Sequence, residues 1–216
     1  MIDVAIISAP RKAETLSQSY RSAIDAGFKD IKVFGEPGTI PVGLFHENEV
    51  RYGAFKNFHQ ALSYLVECGE SPYVVILSDD IVYCKNAYAI VLKALEEHAD
   101  KPLGYYALFT SGHDADYVGV NEGWNETKAG WDCWGGLFIM KKDVAKRMIQ
   151  QPFYQNHLKN YKANQQIDAC VSETLKRMGL PMYIHSPSLA QHIGQSSTLG
   201  HYHNESTSGY KFNPEL

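Results

Sequence analysis

Two adjacent carboxylates follow the most apolar strand that the sequence predicts. Residues 73–77 are Tyr-Val-Val-Ile-Leu, and Ser78, Asp79 and Asp80 come directly after them. Neighbouring carboxylates repel each other, and each raises the proton affinity of the other. A hard divalent cation relieves this repulsion and can also bridge the phosphates of a nucleoside diphosphate. The pattern therefore indicates metal binding, and the alternative is that both aspartates only begin a turn, where Asp is common.

Strands alternate with helices along the chain, which predicts an α/β fold with much parallel pairing. The predicted strands cover residues 2–8, 31–34, 73–77, 105–109, 137–140 and 182–184. The predicted helices lie near 13–26, 54–65, 87–95 and 164–178, with a short helix from Asp143. Ligands of open α/β sheets bind outside the carboxyl ends of the strands, so residues 78–80 are where a site is expected.

Several segments resemble glycosyltransferases of the GT-A fold. Residues 75–80 are similar to the D-x-D-type motif of these enzymes, with Ser78 where the stricter motif has Asp. Residues 6–11 resemble the first strand and nucleotide loop, and residues 134–140 resemble the glycine pair and strand beside the donor sugar. Residues 187–194 are similar to the C-terminal segment of N-acetylglucosaminyltransferase IV-type enzymes. The whole chain resembles the glycosyltransferase domains of chlorella virus proteins that glycosylate the capsid.

The resemblance implies one Rossmann-like domain over residues 1–216. A nucleotide-binding half is expected at 1–110, and an acceptor and donor-sugar half at 111–216, as a domain of its own or as part of a larger polypeptide. The implied reaction moves a hexosyl or deoxyhexosyl group from a UDP-sugar to a saccharide acceptor, such as a viral capsid glycan. The identity of the donor sugar and the stereochemistry of transfer stay open.

The resemblance also implies the contacts to the nucleotide-sugar. These residues are Ala9, Pro10, Arg11, Asn57, Ser78, Asp79, Gly135 and Gly136. The Arg11 guanidinium can pair with phosphate or stack on a base, and the alternative is a solvated charge before a helix. The Asn57 amide can recognise the edge of uracil, and an exposed helix position is an equal alternative.

The implied metal ligands are Asp80 and His192, the latter within the segment 191–194. Imidazole suits Mn²⁺ better than Mg²⁺, which prefers oxygen ligands, so Mn²⁺ is expected and Mg²⁺ is the alternative. A lone histidine is more often structural than a ligand, and His185, His201 and His203 could replace His192 in this role.

Sugar transfer needs a further carboxylate. An inverting enzyme needs a base at the acceptor hydroxyl, and a retaining enzyme needs a partner or nucleophile on the front face. Asp168, in the first turns of a predicted helix, is the first candidate, and ordinary pairing with the helix dipole is the alternative. Asp132, between Trp131 and Trp134, is the second candidate.

The segment 111–130 is rich in Gly, Asp, Asn and Trp and shows no clear period, which predicts an irregular functional or mobile segment. Its Trp124, like the tryptophans that follow, offers an aromatic face on which a sugar ring can stack, and core packing is the alternative.

Composition excludes other classes of protein. Twenty Lys and Arg against 24 Asp and Glu give a net charge of −4, which argues against a broad nucleic-acid-binding surface. The apolar stretches are shorter than the ~20 residues of a membrane helix, and the N-terminus has no basic signal-peptide region. Four scattered cysteines without a C-x-x-C pair are typical of a cytoplasmic protein, or one of the host cytoplasm if viral.

Two other classes of function remain open from the sequence. A sugar- or nucleotide-binding module without turnover would keep the aromatic residues but would not need a base such as Asp168. A divalent-metal phosphoryl-transfer domain also places paired acids at strand ends. The absence of a G-x-x-x-x-G-K-[ST] segment argues against a P-loop NTPase.

Overall fold

The computed structural model describes residues 1–127, 137–160, 167–194 and 208–216. Within these ranges the chain forms ten strands and seven helices. In chain order they are β1 Ile2–Ser8, α1 Leu16–Asp25, β2 Lys32–Gly35, β3 Leu44–Glu47, α2 Ala54–Cys68, β4 Tyr73–Ser78, β5 Ile81–Tyr83, α3 Ala87–Glu97, β6 Tyr105–Ala107, α4 Gly112–Val118, β7 Gly123–Glu126, β8 Phe138–Lys141, α5 Lys142–Ile149, α6 Pro152–Lys159, α7 Ile167–Arg177, β9 Met182–Ser186 and β10 Ala190–His192.

Eight strands form one twisted sheet in the order β3-β2-β1-β4-β8-β6-β9-β7. Strands β3, β2, β1 and β4 pair in parallel, and β6 and β9 run in the same direction as these four. Only β8 and β7 run against them among the strands of this sheet that the structure describes. The predicted mixed, mostly parallel α/β fold is confirmed.

The central strands are continuous apolar runs because both faces of the sheet are covered. In β4, Val75 and Leu77 point into a core that includes α1 and α3, whereas Val74 and Ile76 point into a second core with α2, α5 and α7. Full burial of one such side chain stabilises the fold by about 1.5–3 kcal/mol. The two cores hold the carboxyl ends of β1 and β4 side by side.

A second, two-stranded sheet begins directly after the carboxyl end of β4. Strand β10 pairs antiparallel with β5, which places His192 opposite Ile81 and Gln191 opposite Val82. Residues after 208 support this strand pair, because the Gly209 N–H donates to Oε1 of Gln191 over 2.9 Å and the Ser188 N–H donates to the Tyr210 carbonyl over 2.8 Å.

The prediction of an irregular segment at 111–130 is wrong for its described part. The Ser111 hydroxyl and the Asp114 carboxylate form a reciprocal capping box that starts α4, and β7 then pairs with β9. In β7, the ring of Trp124 packs 4.4 Å from Tyr106 and 4.9 Å from His185, measured between ring centroids. Trp124 is therefore part of the packing against the sheet.

None of the helices in the described part of the chain is long and apolar enough to cross a membrane.

Candidate functional site

The carboxylate of Asp79 joins the ends of β1 and β4. Parallel pairing places Ile7 beside Ser78, so the next residues of both strands leave the sheet together. Oδ2 of Asp79 accepts hydrogen bonds from the Ser8 hydroxyl over 2.7 Å and from the Ala9 N–H over 3.1 Å. The residue is only 2% exposed, so these donors are its solvation. Asp79 thus holds the β1–α1 loop against the end of β4.

Arg11 spans both aspartates. Its Nε and Nη2 donate to Oδ1 of Asp79 over 3.0 and 2.7 Å, in the forked geometry that favours arginine over lysine. Its Nη1 lies 3.1 Å from Oδ2 of Asp80. Burial lowers the pKa of Arg11, but the attraction of Asp80 and Asp79 outweighs burial and holds that pKa above its ordinary value.

Burial and the neighbouring Arg11 shift the pKa of Asp79 in opposite directions. Loss of solvent raises the pKa of Asp79, whereas the charge and hydrogen bonds of Arg11 lower it, and the pKa stands above its ordinary value. Both oxygens of Asp79 nevertheless accept hydrogen bonds from N–H and O–H groups, and this pattern is the one expected of an ionised carboxylate.

Asp80 and His192 face each other across the β5–β10 pair. Oδ1 of Asp80 accepts the Ser78 hydroxyl over 2.7 Å, and Oδ2 lies 3.5 Å from Nδ1 of His192. The backbone N–H of Ile193 donates to the Asp80 carbonyl over 2.8 Å, so the two chain segments are directly bonded beside the side chains. The imidazole packs edge-on against Phe109 at 5.7 Å.

This pair of side chains fits a divalent metal. Two donor atoms that are each about 2.1 Å from one ion can be at most about 4.2 Å apart, and the observed separation is 3.5 Å. No cluster of three or more His, Cys, Asp or Glu side chains suited to a metal occurs in the ranges that the structure describes. An ion held by Asp80 and His192 would therefore take its remaining ligands from phosphate oxygens and water, as Mg²⁺-type sites do.

A cleft opens beside Asp79. One wall is the β1–α1 loop, including Pro10 and Arg11, and the other is the loop with Gly38, Thr39 and Ile40. Glu36 holds the second loop in place, since its carboxylate accepts the N–H groups of Tyr52 and Gly53, both over 2.8 Å, where α2 begins. This second wall was not predicted from the sequence, where its one signal is the group of turn residues at 35–39.

Asn57 lies under the β1–α1 loop. It is buried, and its Nδ2 donates to the carbonyls of Phe34 over 2.9 Å and Ser8 over 3.3 Å. Its Oδ1 accepts from Asn48 over 3.3 Å. The exposed helix position considered as an alternative is therefore excluded, and these bonds make Asn57 a brace between the ends of β1 and β2. Recognition of uracil by this amide stays a prediction.

Asp168 lies in the first turn of α7, half-buried. Helix α7 ends just before β9, which starts at the opposite edge of the sheet from Asp79. The role of Asp168 as the further carboxylate stays a prediction.

The other predicted site residues divide into two groups. His185 is not part of a group of three or more potential metal ligands among the described residues. Its Nδ1 lies 2.7 Å from the Pro187 carbonyl oxygen, and burial lowers the pKa of its imidazole. The second group lies outside the described residues and consists of Asp132, Gly135, Gly136, His201 and His203.

No protein-family model matches this chain, and no curated protein matches it by sequence. Among solved structures it matches the crystal structure of GalNAc-T7 with UDP, GalNAc and Mn²⁺, with a TM-score of 0.58 and 12% sequence identity. The match covers 99% of this chain and 44% of the GalNAc-T7 chain, so this chain spans less than half the length of that protein. The fold is GT-A. In this GT-A fold, the carboxyl ends of β1 and β4 carry the charged cluster formed by Arg11, Asp79 and Asp80.

Proposed function

We propose that this chain is a metal-dependent glycosyltransferase that moves a sugar from a UDP-sugar to a saccharide acceptor. The observation that carries the proposal is the distance of 3.5 Å between Asp80 Oδ2 and His192 Nδ1. This pair lies beside the loop that follows β1 in a GT-A fold. The matched GalNAc-T7 structure contains UDP, GalNAc and Mn²⁺, which supports this class of donor and metal.

Asp80 and His192 would hold the metal. The mixed oxygen and nitrogen donor set favours Mn²⁺, with Mg²⁺ as the alternative. A bound divalent ion would stabilise the negative charge that develops on the diphosphate leaving group. Ser78 orients Asp80 through its hydrogen bond to Oδ1, so the second oxygen is directed toward His192.

The β1–α1 loop would bind the nucleotide. Ala9 and Pro10 shape one wall of the cleft, and Arg11 presents a guanidinium that can pair with phosphate. Asp79 keeps this loop in position through Ser8 and the Ala9 N–H, which supports contact between the loop and the ribose or phosphates. Gly135 and Gly136 stay predictions for the donor sugar.

Asp168 would act on the acceptor. In an inverting reaction its carboxylate would take the proton from the acceptor hydroxyl, and in a retaining reaction it would serve on the front face. Asp132 is the second candidate for this role. Its proposed role rests on the sequence alone.

The acceptor that we propose is a glycan of a glycoprotein, such as a viral capsid glycan, with transfer of a hexosyl or deoxyhexosyl group. Its basis is the motif-level resemblance described under Sequence analysis, which residues 187–194 carry for N-acetylglucosaminyltransferase IV-type enzymes and the order of the segments carries for capsid-glycosylating domains; no match to a curated protein adds to it. The same resemblance supports the division into halves at 1–110 and 111–216. A cytoplasmic location and the absence of nucleic-acid partners are proposed from the cysteine pattern and the net charge of −4.

A nucleotide-sugar screen tests the proposal. Thermal unfolding is measured with each UDP-sugar in the presence and absence of Mn²⁺, and UDP release is then measured with a panel of saccharide acceptors. A glycosyltransferase is stabilised by its donor only with the metal and releases UDP. Stabilisation without release with any acceptor would favour a binding module, and no stabilisation with any UDP-sugar would contradict the proposal.

A further inference from the structure

The guanidinium of Arg11 competes for the oxygen atom that a metal would use. Oδ2 of Asp80 lies 3.1 Å from Arg11 Nη1 and 3.5 Å from His192 Nδ1. An ion about 2.1 Å from that oxygen would be within about 5.2 Å of Nη1. The site is well shielded from water, since Asp80 is 4% exposed, so repulsion between the ion and the guanidinium is weakly screened.

Arg11 has a second attachment that does not involve this oxygen. Nε and Nη2 both donate to a single oxygen, Oδ1 of Asp79, and Oδ2 of Asp79 accepts from the Ser8 hydroxyl and the Ala9 N–H. Asp79 therefore already has donors at both oxygens. It serves as an anchor for Arg11, which leaves Asp80 as the carboxylate that can change its partner.

We propose that Arg11 is an exchangeable counter-cation, which neutralises Asp80 until a divalent ion replaces Nη1 there, and which then turns Nη1 toward the phosphates of the arriving nucleotide. The inference rests on the proposed function, because it assumes metal binding by Asp80 and His192. Because the guanidinium is rigid and planar, Nη1 turns only when the whole group pivots about Oδ1 of Asp79, the oxygen that accepts from both Nε and Nη2. The exchange therefore needs a reorientation of one side chain and no movement of β1 or β4.

The exchange couples the ion to the nucleotide. Without a nucleotide, the ion has to displace Nη1 from Asp80 while Asp79 is the one anion left to Arg11 among the contacts described above, so the ion alone binds weakly. A diphosphate supplies both new ligands for the ion and a new anionic partner for Nη1, in the cleft that Arg11 already lines. Each ligand therefore raises the affinity for the other by the same factor.

Binding of Mn²⁺ tests the inference directly. Free Mn²⁺ is titrated by electron paramagnetic resonance against the wild type, Arg11→Gln and Lys12→Gln, each with and without UDP. Lys12 is the matched control, because it is the next residue, is exposed and carries the same charge. We expect Arg11→Gln to bind Mn²⁺ alone about tenfold more tightly than the wild type, which is about 1.4 kcal/mol.

The effect of UDP gives the second expected result. UDP should raise the Mn²⁺ affinity of the wild type and of Lys12→Gln at least about tenfold, and should raise that of Arg11→Gln much less. Arg11→Lys covers the case in which Arg11→Gln does not fold: it keeps the charge but lacks the fork, and we expect its coupling factor to be intermediate. Circular dichroism establishes that each variant is folded.

Three results would overturn the inference. One is an unchanged or weaker affinity of Arg11→Gln for Mn²⁺ alone, and another is an equal effect of UDP on Arg11→Gln and the wild type. The third is a UDP affinity that is the same with and without Mn²⁺, which would mean that Arg11 remains the cation at Asp80. The first two leave the glycosyltransferase proposal intact, because UDP release in the screen is measured independently of the coupling.

Discussion

Gly194 lies directly against the carboxylate of Asp80. A Cβ atom on Gly194 would come within 2.9 Å of Asp80 Oδ2 and within 3.2 Å of its Cβ. The first distance is closer than two such atoms pack without movement, so any larger residue at this position would force the Asp80 carboxylate or the chain after β10 to shift. The same close passage brings His192 within 3.5 Å of the same oxygen.

Gly194→Ala should therefore weaken metal binding. The added methyl group would displace the Asp80 carboxylate or the chain after His192, and we expect Mn²⁺-dependent binding of UDP to weaken about tenfold or more. Gly112→Ala is the matched control, since a Cβ there meets nothing within 4 Å. Isothermal titration with UDP and Mn²⁺ measures both. Equal affinities for the two variants would show that the close contact has no functional effect.

Asp80→Asn removes the charge of the proposed ligand and keeps its shape. We expect loss of the additional thermal stabilisation that Mn²⁺ gives together with UDP, because a neutral amide is a poor ligand for a hard cation. Asp143→Asn is the control, as this aspartate forms an exposed i,i+4 pair with Arg147. Thermal unfolding in the presence of UDP and Mn²⁺ distinguishes the two variants. If Asp80→Asn is stabilised as much as the control, the assignment of Asp80 fails.

The sequence located the carboxylates because their position depends on local pattern. The continuous apolar runs at 2–8 and 73–77 correspond to β1 and β4, since strands buried on both faces need apolar residues at every position. A charged pair directly after such a run has to lie at the carboxyl end of the strand, where the chain leaves the sheet. Parallel strand order then brings the β1 loop next to it.

The rest of the site depends on contacts between distant residues. Strand β10 has three residues and no strong period, so its pairing with β5, which places His192, was not visible in the sequence. The fork between Arg11 and Asp79 and the anchoring of the Gly38 loop by Glu36 likewise arise only from tertiary packing. For 111–127 a signal was present, because Ser111 and Asp114 have capping-box spacing.

The Asn57 amide should contribute to stability. Asn57→Ala removes the amide that donates to the Ser8 and Phe34 carbonyls and takes away the acceptor of the Asn48 amide. The Ser8 carbonyl keeps the Glu36 N–H as a donor, so the loss falls mainly on Phe34 and Asn48. Unsatisfied buried groups cost about 1–3 kcal/mol, so we expect the free energy of unfolding to fall by about that amount in urea denaturation. Lys56→Ala, at the neighbouring exposed position, is the control. A change no larger than that of the control would exclude the bracing role.

Stability should decrease as the pH falls below about 6.5. Burial lowers the pKa of His59, His157 and His185 from the ordinary value of 6.5. The unfolded chain therefore takes up protons near pH 6.5 that the folded chain takes up only at lower pH, so stability present above 6.5 is lost as the pH falls. Urea midpoints at pH 7.5 and about 5.5 measure this effect.

His59→Gln tests the contribution of one histidine to this pH dependence. The His59 ring bonds to the Tyr154 hydroxyl at 3.2 Å, and glutamine keeps a polar group there without titrating. We expect a smaller difference between the two urea midpoints than in the wild type. His113→Gln, at an exposed position of α4, is the control. The same pH dependence in His59→Gln as in the control would assign the effect to other groups.

Asp168→Asn separates catalysis from binding. Asp168 belongs to α7, a different element from those that carry the proposed ligands Asp80 and His192. We therefore expect UDP and Mn²⁺ to bind with unchanged affinity, whereas transfer to the acceptor falls at least about 100-fold, the usual contribution of a general base. Single-turnover transfer and isothermal titration measure the two properties. The control is Glu173→Gln, a half-buried carboxylate of the same helix that pairs with Lys176 and Arg177. Transfer at the rate of this control would show that Asp168 only pairs with the helix dipole, and Asp132 would then be the carboxylate to test.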